Sequence, residues 1–595
     1  MEPLYLGLDA STQSLKASLL SENLDVRAEC AIHFDTDLPQ YKTKGGVIFG
    51  ENGEVYSPVM MLVEAFDLLF DKIKQRKWDV ASIKGVAGSG QQHASVYWSQ
   101  QASSLLSNLD PKTRLADQLS PAFSRSIVPN WQDSSTSKEC QDFQSTVGGP
   151  VALAKITGSR AHERFTGPQI LRFKRNHPET YRETSRISLV SSAITTILCS
   201  DGEVKGIDES DACGMNLWNV QGRHWEQSLL DLIGEDAGAK LGEVETDAGK
   251  VVGHIGKWFV DRYGFSPECA VFPGTGDNPA TFLSLTLAPS EGLVSLGTSD
   301  VVLVSTSRYF PNPESHAFFH PARGANDSPS YFNMIVYKNG SLARQHVRDL
   351  YFDKSWDKFN AAVESLRPQA VTDLPNKAAF WWLLPDIVPH NAHGVYKYIT
   401  DPSAGLFEIG AAQKVDTFPD VSSEALAILE SQLFNYRSRS STILDDSDTP
   451  GEPSTASLPD NIPRLTRVYA TGGASANRTI LSLMADVLSA KVCKNVEFYD
   501  NKWKDADWNA CSVGVAYKAR WGYERSQGRE ITFDDLVAQC RNNRAKLRGQ
   551  EGGAISLEEE GIRVVAEPGE GARAYERRVD WWRALEHKAL SEMSK

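Results

Sequence analysis

The chain has few cysteines, no long apolar run and no excess of positive charge. Its eight cysteines among 595 residues are scattered, and none has the C-x-x-C spacing of a zinc or redox site. A disulfide scaffold is therefore excluded, and reduced structural thiols are expected. No eighteen consecutive apolar residues occur, so we expect no membrane span. The formal net charge of −14 argues against a basic face for nucleic acid.

Targeting signals are also missing from the sequence. The first residues, Met1 to Tyr5, include an acidic side chain and are not followed by the apolar segment of a signal peptide. The last residues, Ser594 and Lys595, match no lipidation or peroxisomal signal. We therefore expect a cytoplasmic protein.

The length and the hydrophobic pattern predict two α/β domains of related architecture. A chain of 595 residues is about twice the size at which a single core stops growing. Two strands around a polar turn at 4–20, a helix at 59–73 and a buried strand at 83–87 indicate a mixed sheet. The strand–turn–strand unit recurs at 292–305. We place the domains at 1–288 and 289–557, followed by a tail at 558–595.

Two segments of the second half have unusual composition. Residues 437–463 are rich in serine, aspartate and proline and contain few large apolar side chains. Such a segment buries too little surface to order itself, so we predict a disordered surface insertion. In the tail, Trp581, Trp582 and Leu585 predict a short helix.

Two turns have the composition of a phosphate clamp. Residues 9–13 (Asp-Ala-Ser-Thr-Gln) are small or hydroxylated, which leaves backbone N–H groups open to phosphate oxygens, and Asp9 offers a carboxylate for Mg²⁺. Residues 297–299 (Gly-Thr-Ser) repeat the pattern in the second half. A common hairpin with local side-chain hydrogen bonds is the alternative interpretation.

A double glycine follows a predicted strand at 469–471. Gly472 and Gly473 allow a flat ligand to lie against the backbone, and the helix that follows favours negative charge at its start. The spacing matches neither the P-loop nor the dinucleotide fingerprint. A purely structural tight turn stays open as an alternative.

Asp277 lies in a loop bounded by glycine and proline, where a carboxylate could accept a proton from an alcohol. The alternative is a helix N-cap, because Pro279 follows at a first helical turn. His93, after a buried strand, could bind a sugar hydroxyl or be a structural histidine. The pairs His316/His320 and His390/His393 lack nearby metal-ligand partners, so we predict no zinc site.

The four motifs DASTQS, TGDNPA, SLGTS and TGGASAN together resemble the FGGY family of carbohydrate kinases, over residues 4 to about 525. The resemblance implies the actin-like ATPase fold, with two ribonuclease-H-like domains and the active site in the cleft between them. Residues 89–93, 158–167 and 211–216 resemble segments of family members that phosphorylate D-xylulose. Glycerol kinases carry an Arg-Glu pair in the first of these loops, and this chain does not.

The resemblance also implies roles for individual residues. Asp277 would be the general base and, with His93, Arg164 and Asn278, would hold the sugar. Asp9 would bind Mg²⁺, and the residues facing ATP would be Asp9, Thr12, Thr298, Trp356, Gly472, Gly473, Ala474 and Asn477. Ala94 departs from the glycine that usually follows the histidine, and the insertion near 440–460 is a second departure.

The expected reaction is transfer of a phosphoryl group from ATP to D-xylulose, giving D-xylulose 5-phosphate for the pentose phosphate pathway. A kinase for another ketopentose or polyol is one alternative, and an actin-like ATPase that drives conformational change is another. The expected partners are small molecules, with no nucleic acid and no membrane. Monomer and homodimer both stay open.

Overall fold

The computed structural model describes residues 2–367, 376–400, 412–444, 463–499, 502–547, 556–558 and 561–593. They form two compact units, which we call the first and the second unit. The first unit comprises Met1–Thr286, Pro311–Tyr331 and Asp507–Glu560, and the second comprises Leu287–Phe310, Phe332–Ala506 and Gly561–Lys595.

This division differs from the predicted one in three places. The boundary after Thr286 lies close to the predicted position, but residues 311–331 and 507–560 belong to the first unit. The reason is packing: the helix Ala510–Ser526 lies against the first sheet so closely that a Cβ on Gly7 would be 1.8 Å from the Ser512 carbonyl oxygen. From Gly561 onward the predicted tail is part of the second unit, where it adds both a strand and helices.

The central sheet of the first unit confirms the predicted order of strands, helix and strand. The strand Leu4–Ala10 pairs antiparallel with Ser14–Ser21 and parallel with Ile83–Gly90. Its full strand order is Gly253–His254, Ala270–Val271, Ile83–Gly90, Leu4–Ala10, Ser14–Ser21 and Val26–His33, with Thr275–Gly276 also beside Ile83–Gly90. The helix Val59–Gln75 buries Leu62, Phe66 and Ile73 at helical spacing.

The first unit contains further strands and helices. The other strands are Ile48–Phe49, Val55–Pro58, Ser95–Ser99, Ile127–Pro129, Thr184–Leu189, Ile207–Asp208, Trp218–Asn219, His224–Trp225, Val244–Glu245 and His316–Phe319. The other helices are Phe34–Asp37, Ala102–Ser107, Leu115–Leu119, Ser137–Thr146, Pro150–Thr157, Thr166–Asn176, Pro178–Glu183, Val190–Cys199, Glu209–Ala212, Gln227–Ile233, Ala237–Leu241, Lys257–Tyr263, Asp277–Leu285 and Phe533–Leu547.

The second unit repeats the hairpin-plus-parallel-strand arrangement. The strand Glu291–Leu296 pairs antiparallel with Asp300–Thr306 and parallel with Arg467–Thr471. The sheet continues through Tyr331–Tyr337 on one side and through Lys491–Tyr499, Lys502–Asp505 and Ile562–Ala566 on the other. A smaller sheet contains Asn376–Trp382, Gly394–Thr400 and Gln413–Lys414. The strand–turn–strand unit that recurs in the sequence at 292–305 is therefore a repeated local topology.

Helices pack on the second sheet and complete its core. They are Ser341–Tyr351, Trp356–Leu366, Ser422–Leu444, Arg478–Leu488, Ala572–Glu576 and Val579–Met593. The last of these confirms the predicted helix of the tail and buries Trp581, Trp582 and Leu585. Burial of two indoles and a leucine stabilises the unit by several kcal/mol, on the order of 1.5–3 for each side chain.

The predicted disordered insertion is wrong at its start. Residues 437–444 continue the helix Ser422–Leu444, and Ser440, Ser441 and Ile443 are buried. Serine-rich composition is typical of disorder, but small side chains also let a helix pack closely against its neighbours. The rest of the predicted insertion, 445–462, lies outside the described residues.

We therefore expect the outcome of a deletion to depend on where it begins. Deleting 440–459 removes the buried end of this helix and should lower the melting temperature by several degrees, because Ile443 alone contributes about 2–4 kcal/mol. Deleting 446–461, chosen from its polar and proline-rich sequence, should leave stability and turnover near those of the parent. Differential scanning fluorimetry gives the melting temperatures of both deletion variants. Equal melting temperatures would contradict the expected difference between them.

Candidate active site

The polar residues of the first unit lie where three parallel strands end together. Asp9 is opposite Ser89 in the register, and Ser89 is opposite Thr275 on the other side. The turn after Asp9, the residues after Gly90 and Asp277 therefore meet at one edge of the sheet. This is the edge at which ligands bind in open α/β sheets.

Asp9 is a fully buried carboxylate held by two hydroxyl groups. Its Oδ1 accepts a hydrogen bond from Ser89 Oγ at 2.9 Å, and its Oδ2 accepts one from the Ser11 hydroxyl. Burial raises the pKa of Asp9, and these hydrogen bonds oppose the rise. Asp9 is thus a buried, hydrogen-bonded carboxylate at the start of the turn at 9–13.

Asp277 is the first residue of the helix Asp277–Leu285, and its N-cap is Gly276, so the capping alternative does not hold. Its Oδ1 accepts the Asn278 backbone N–H at 2.8 Å. Burial, and next the negative charge of Asp9, raise the pKa of Asp277 to about 7. A carboxyl with this pKa can take up and release a proton near neutral pH.

Asn278 joins Asp277 to the loop that contains His93. Its Nδ2 donates to Gln92 Oε1 at 3.0 Å and to Asp277 Oδ1 at 3.1 Å. The backbone N–H of Gln92 also favours the charged form of Asp277. The predicted pair Asp277 and Asn278 is therefore oriented by Gln92, a residue to which the sequence analysis gave no role.

His93 has a fixed tautomer. The ring Nδ1 lies 2.7 Å from the Gly214 carbonyl oxygen, so Nδ1 is the protonated nitrogen and Nε2 keeps a lone pair. Burial, and next the charge of Arg164, lower the pKa of His93 well below its ordinary value, so the ring is neutral. Its φ of 69° is unusual for a residue with a side chain and is typical of functional sites.

Arg164 is a cation near His93. Among the described residues it makes no hydrogen bond and no ion pair, and its guanidinium carbon lies 5.5 Å from the centre of the Phe165 ring. Burial lowers the pKa of Arg164 to about 10, so it stays charged at neutral pH. Its N–H donors are free for a ligand that offers oxygen acceptors.

Thr12 lies in the turn after the first strand, beside an indole. Trp131 Nε1 donates to Thr12 Oγ1 at 2.9 Å, and the tryptophan is 48% exposed. An exposed tryptophan fixed over a hydroxyl-rich turn suits a ligand-binding surface. The sequence analysis did not single out Trp131, because one exposed aromatic residue has no local signature.

In the second unit, the two predicted phosphate and nucleotide turns also share one sheet edge. Thr298 is exposed in the turn after the strand Glu291–Leu296. Ser295 near the end of this strand is opposite Thr471, after which the double glycine begins. Gly472 has φ 81°, and a Cβ on it would be 2.6 Å from the Leu296 carbonyl oxygen, so only glycine fits there.

The turn that follows carries Gly473, Ala474 and Asn477. Gly473 is exposed, and a Cβ on it would contact nothing within 4 Å in the described part of the unit. Asn477 caps the helix Arg478–Leu488 through its Oδ1, which accepts the Thr479 N–H at 3.0 Å. Its Nδ2 donates to Asn360 Oδ1 at 2.9 Å.

That contact brings Trp356 near the double-glycine turn. Trp356 begins the helix Trp356–Leu366, on which Asn360 lies one turn further. The guanidinium carbon of Arg348 lies 4.7 Å from the indole centre. Of the residues predicted to face ATP, the structure thus groups Thr298, Gly472–Ala474, Asn477 and Trp356 in the second unit.

A buried ion pair lies next to the strand that precedes Asp277 and was missed by the sequence analysis. Lys518 Nζ lies 2.8 Å from Asp208 Oδ2, and both side chains are at most 2% exposed. Asp208 Oδ1 accepts from Thr275 Oγ1 at 2.7 Å, beside Asp277. The sequence separation of 310 residues between Lys518 and Asp208 explains why no local pattern revealed this pair.

The raised pKa of Asp277 predicts a pH-dependent cost in stability. Its carboxyl binds protons more tightly in the folded state than in the unfolded state, so stability falls as pH rises from about 4 through 7. Asp277→Asn should therefore raise the unfolding free energy at pH 8 by about 1–2 kcal/mol, allowing for solvent screening, and by less at pH 5. Chemical denaturation in EDTA measures this. If the gain in unfolding free energy is no larger at pH 8 than at pH 5, this prediction is contradicted.

Among the described residues, no helix has the length and apolarity needed to cross a membrane.

Comparison with known proteins identifies the family. The model of the N-terminal domain of the FGGY family of carbohydrate kinases matches residues 4–284, and the model of its C-terminal domain matches residues 292–497. The two matches together cover most of the chain and meet near the predicted boundary.

Curated fungal proteins are similar over nearly their full length. The chain is 41% identical over 554 residues to the probable D-xylulose kinase A of Aspergillus clavatus, covering 90% of this chain and 91% of the relative. It is 42% identical over 555 residues to the protein of the same name from Aspergillus terreus, with the same coverage.

Solved structures share the fold. The xylulose kinase of Rhodospirillum rubrum superposes with a TM-score of 0.70 at 14% identity, covering 100% of both chains. The glycerol kinase of Plasmodium falciparum with ADP superposes with a TM-score of 0.67 at 14% identity, covering 98% of both chains. These comparisons establish the two-domain fold with actin-like ATPase architecture.

Proposed function

Because the chain belongs to the FGGY family of carbohydrate kinases, we propose that it transfers the γ-phosphoryl group of ATP to the 5-hydroxyl of D-xylulose. The observation that carries the sugar assignment is the 41–42% identity, over 90% of the chain, to proteins named D-xylulose kinase. The neutral His93 and the charged Arg164 guanidinium near it support a polyhydroxylated substrate.

Asp277 has the properties of the base in this reaction. The attacking hydroxyl loses its proton as the bond to phosphorus forms, and the Asp277 carboxylate accepts that proton. A pKa of about 7 keeps a large fraction of the carboxyl ionised at neutral pH. Asn278 and Gln92 restrict its orientation, so little reorganisation is needed when the hydroxyl arrives.

His93 and Arg164 would recognise the other hydroxyls. The free lone pair on His93 Nε2 accepts a hydroxyl proton, and the Arg164 guanidinium donates to hydroxyl or carbonyl oxygens. A neutral acceptor and a cationic donor complement a ketose, which offers both O–H donors and oxygen acceptors. Asn278 would complete the sugar-binding set.

The residues around Asp9 fit a magnesium ion. Mg²⁺ in kinases is usually bound by one or two carboxylates, with the remaining positions filled by water and phosphate oxygens. Asp9 is buried near a second carboxylate, and its charge raises the pKa of Asp277, which shows that negative charge there is incompletely balanced. Asp9 would hold the ion, and the ion would neutralise charge on the phosphates. Thr12 would face the phosphate chain.

The second unit would bind the nucleotide. The exposed backbone at Gly472 and Gly473 suits a flat base and ribose, and Ala474 and Asn477 would border them. Trp356 offers an aromatic surface near the same turn, and Thr298 a hydroxyl for a phosphate oxygen.

His93→Ala should raise the KM for D-xylulose about tenfold or more and leave the KM for ATP nearly unchanged. The lost hydrogen bond is worth roughly 1–3 kcal/mol and involves only the sugar. The exposed His254 of the same unit supplies the control, since His254→Ala should change neither constant. Equal rises in both constants would assign His93 a structural role instead.

A sugar panel tests the proposed function. ADP release, measured in a coupled assay with MgATP, should be fastest with D-xylulose and much slower with D-ribulose, L-ribulose, D-xylose and glycerol. A preference for D-ribulose, L-ribulose or glycerol would support a kinase for another ketopentose or polyol. ADP release that no sugar accelerates would support an actin-like conformational ATPase.

A further inference from the structure

His316 lies close to His93 in the first unit, although it belongs to the second half of the sequence. It begins the strand His316–Phe319, within the segment Pro311–Tyr331 that belongs to the first unit. The strand is anchored by Ala317 N–H, which donates to the Gly158 carbonyl at 2.9 Å. The sequence analysis considered His316 only as a metal ligand and set it aside.

His316 and His93 each form a hydrogen bond with one of two consecutive backbone carbonyls in a single turn. His316 Nε2 lies 2.9 Å from the Cys213 carbonyl oxygen, and His93 Nδ1 lies 2.7 Å from the Gly214 carbonyl oxygen. Each carbonyl is an acceptor, so each of these nitrogens is protonated. The same strand also contacts Cys213 through Phe319 N–H, which lies 3.4 Å from Cys213 Sγ.

Ring packing joins the same residues. The Phe165 ring centre is 4.4 Å from that of His93 and 4.9 Å from that of His316. The two imidazole centres are 6.2 Å apart. Movement of the His316 ring would therefore reach His93 both through the turn and through Phe165.

The turn itself fits tightly against His93. A Cβ on Gly214 would lie 3.0 Å from His93 Nδ1 and 3.1 Å from its Cε1, closer than ordinary van der Waals contact. A small shift of the turn would thus tilt the ring that is proposed to bind the sugar.

Packing alone does not explain a histidine at 316. Its Nδ1 is buried and has no hydrogen-bond partner among the described residues. Burial lowers the pKa of His316 to about 3, so the ring is neutral and Nδ1 is an unpaired acceptor. An unpaired buried acceptor destabilises the fold, and an apolar ring would fill the same space without it.

We propose that His316 is a positioning residue for sugar recognition, because its Nε2–H bond to Cys213 holds the turn that orients His93. In this arrangement the Gly214 carbonyl keeps the proton of His93 on Nδ1, and Nε2 of His93 is left as the acceptor for a ketose hydroxyl. The inference rests on the proposed function, in which His93 binds the sugar.

Two substitutions at 316 test this. His316→Phe keeps a ring between Phe165 and Phe318 but removes both nitrogens, whereas His316→Gln places an amide N–H near the position of Nε2. We expect His316→Phe to raise the KM for D-xylulose about fivefold to tenfold, with the KM for ATP unchanged and kcat within about threefold of the wild type. His316→Gln should restore most of the affinity.

Melting temperatures separate positioning from a structural role. His316→Phe should stay folded with a melting temperature close to that of the wild type, because removal of the unpaired Nδ1 acceptor offsets the loss of the Nε2–H bond to the Cys213 carbonyl. An unchanged sugar KM in a folded His316→Phe protein would overturn the inference, as would equal KM rises in the Phe and Gln variants. If His316→Phe does not fold, two other variants provide the test. His316→Gln should show a near-normal KM for D-xylulose, and Gly214→Ala should show a raised one. The opposite order of these two KM values would overturn the inference.

The wild-type protein distinguishes this inference from the proposed function. If it phosphorylates D-xylulose and the variants behave otherwise than stated, the role of His316 is wrong and the function stands. If the wild type prefers another sugar in the panel, the substrate assignment is wrong, and the same KM comparison with the preferred sugar tests His316.

Discussion

Replacing Asp277 with asparagine should lower kcat by about 10²- to 10⁴-fold while the protein stays folded. A general base typically contributes this factor, and the amide keeps the size and hydrogen-bonding reach of the carboxylate while losing its basicity. Asn278 can still bond to the oxygen of the new side chain, so the sugar KM should change only modestly. Steady-state kinetics together with the melting temperature measure both effects.

Asp231→Asn supplies the matched control, because Asp231 is an exposed aspartate on the helix Gln227–Ile233 and is not among the predicted site residues. That variant should keep wild-type turnover. Near-normal kcat in a folded Asp277→Asn protein would end the assignment of the base. A parallel fall in kcat and in melting temperature at all pH values would indicate a structural role.

Arg344→Met should destabilise the second unit by about 3–5 kcal/mol. Both ends of the Arg344 guanidinium bond to Asp300, at 2.6 and 2.9 Å, and neither side chain is more than 1% exposed. Removing one partner leaves a buried carboxylate without its counter-charge, which is far costlier than losing a surface pair. Tyr436 Oη also donates to Asp300 but cannot replace a positive charge.

The effect should extend to the turn that contains Thr298. Asp300 follows this turn directly, and Ser341 N–H, at the start of the helix that carries Arg344, donates to the Gly297 carbonyl at 3.0 Å. We therefore expect the ATP KM to rise at temperatures where Arg344→Met is still folded.

Lys358→Met is the matched control, since Lys358 pairs with Asp353 at 2.7 Å on the exposed surface. Its loss should cost less than about 1 kcal/mol. Urea denaturation of both variants makes the comparison, and similar losses would contradict the importance of burial at Arg344.

Local patterns predicted the elements that carry the site. Alternating apolar residues gave the strands of both hairpins, and helical spacing gave Val59–Gln75 and Arg478–Leu488. The motif turns fall at strand ends because small, polar and glycine residues both end strands and leave backbone groups open. For these elements, short-range sequence and final structure agree.

What the sequence did not predict depends on contacts between distant residues. The helix Ala510–Ser526 returns to the first sheet, and only the close approach of its backbone explains the glycine at position 7. His316 joins His93 across more than 220 residues, so spacing along the chain suggested a metal pair instead. Local sequence patterns cannot predict these contacts, because the whole fold determines which distant residues are buried together.

The serine-rich end of the helix Ser422–Leu444 illustrates a different failure. Its composition indicated disorder, but the tail supplies a partner: Arg583 Nε donates to Ser438 Oγ at 2.6 Å. Arg437 Nη1 likewise donates to the Val487 carbonyl at 2.8 Å. Polar side chains that find buried partners can order a segment that composition alone assigns to the solvent.

The most direct test of the proposed activity is the identity of the product. Wild-type protein, MgATP and D-xylulose should give ADP and a sugar phosphomonoester whose ³¹P signal correlates with the two C5 protons, and not with those on C1, in a two-dimensional ¹H–³¹P spectrum. Asp277→Asn under the same conditions should form it at least about 100 times more slowly. Inorganic phosphate without a phosphomonoester, or a phosphate on another carbon, would contradict the account.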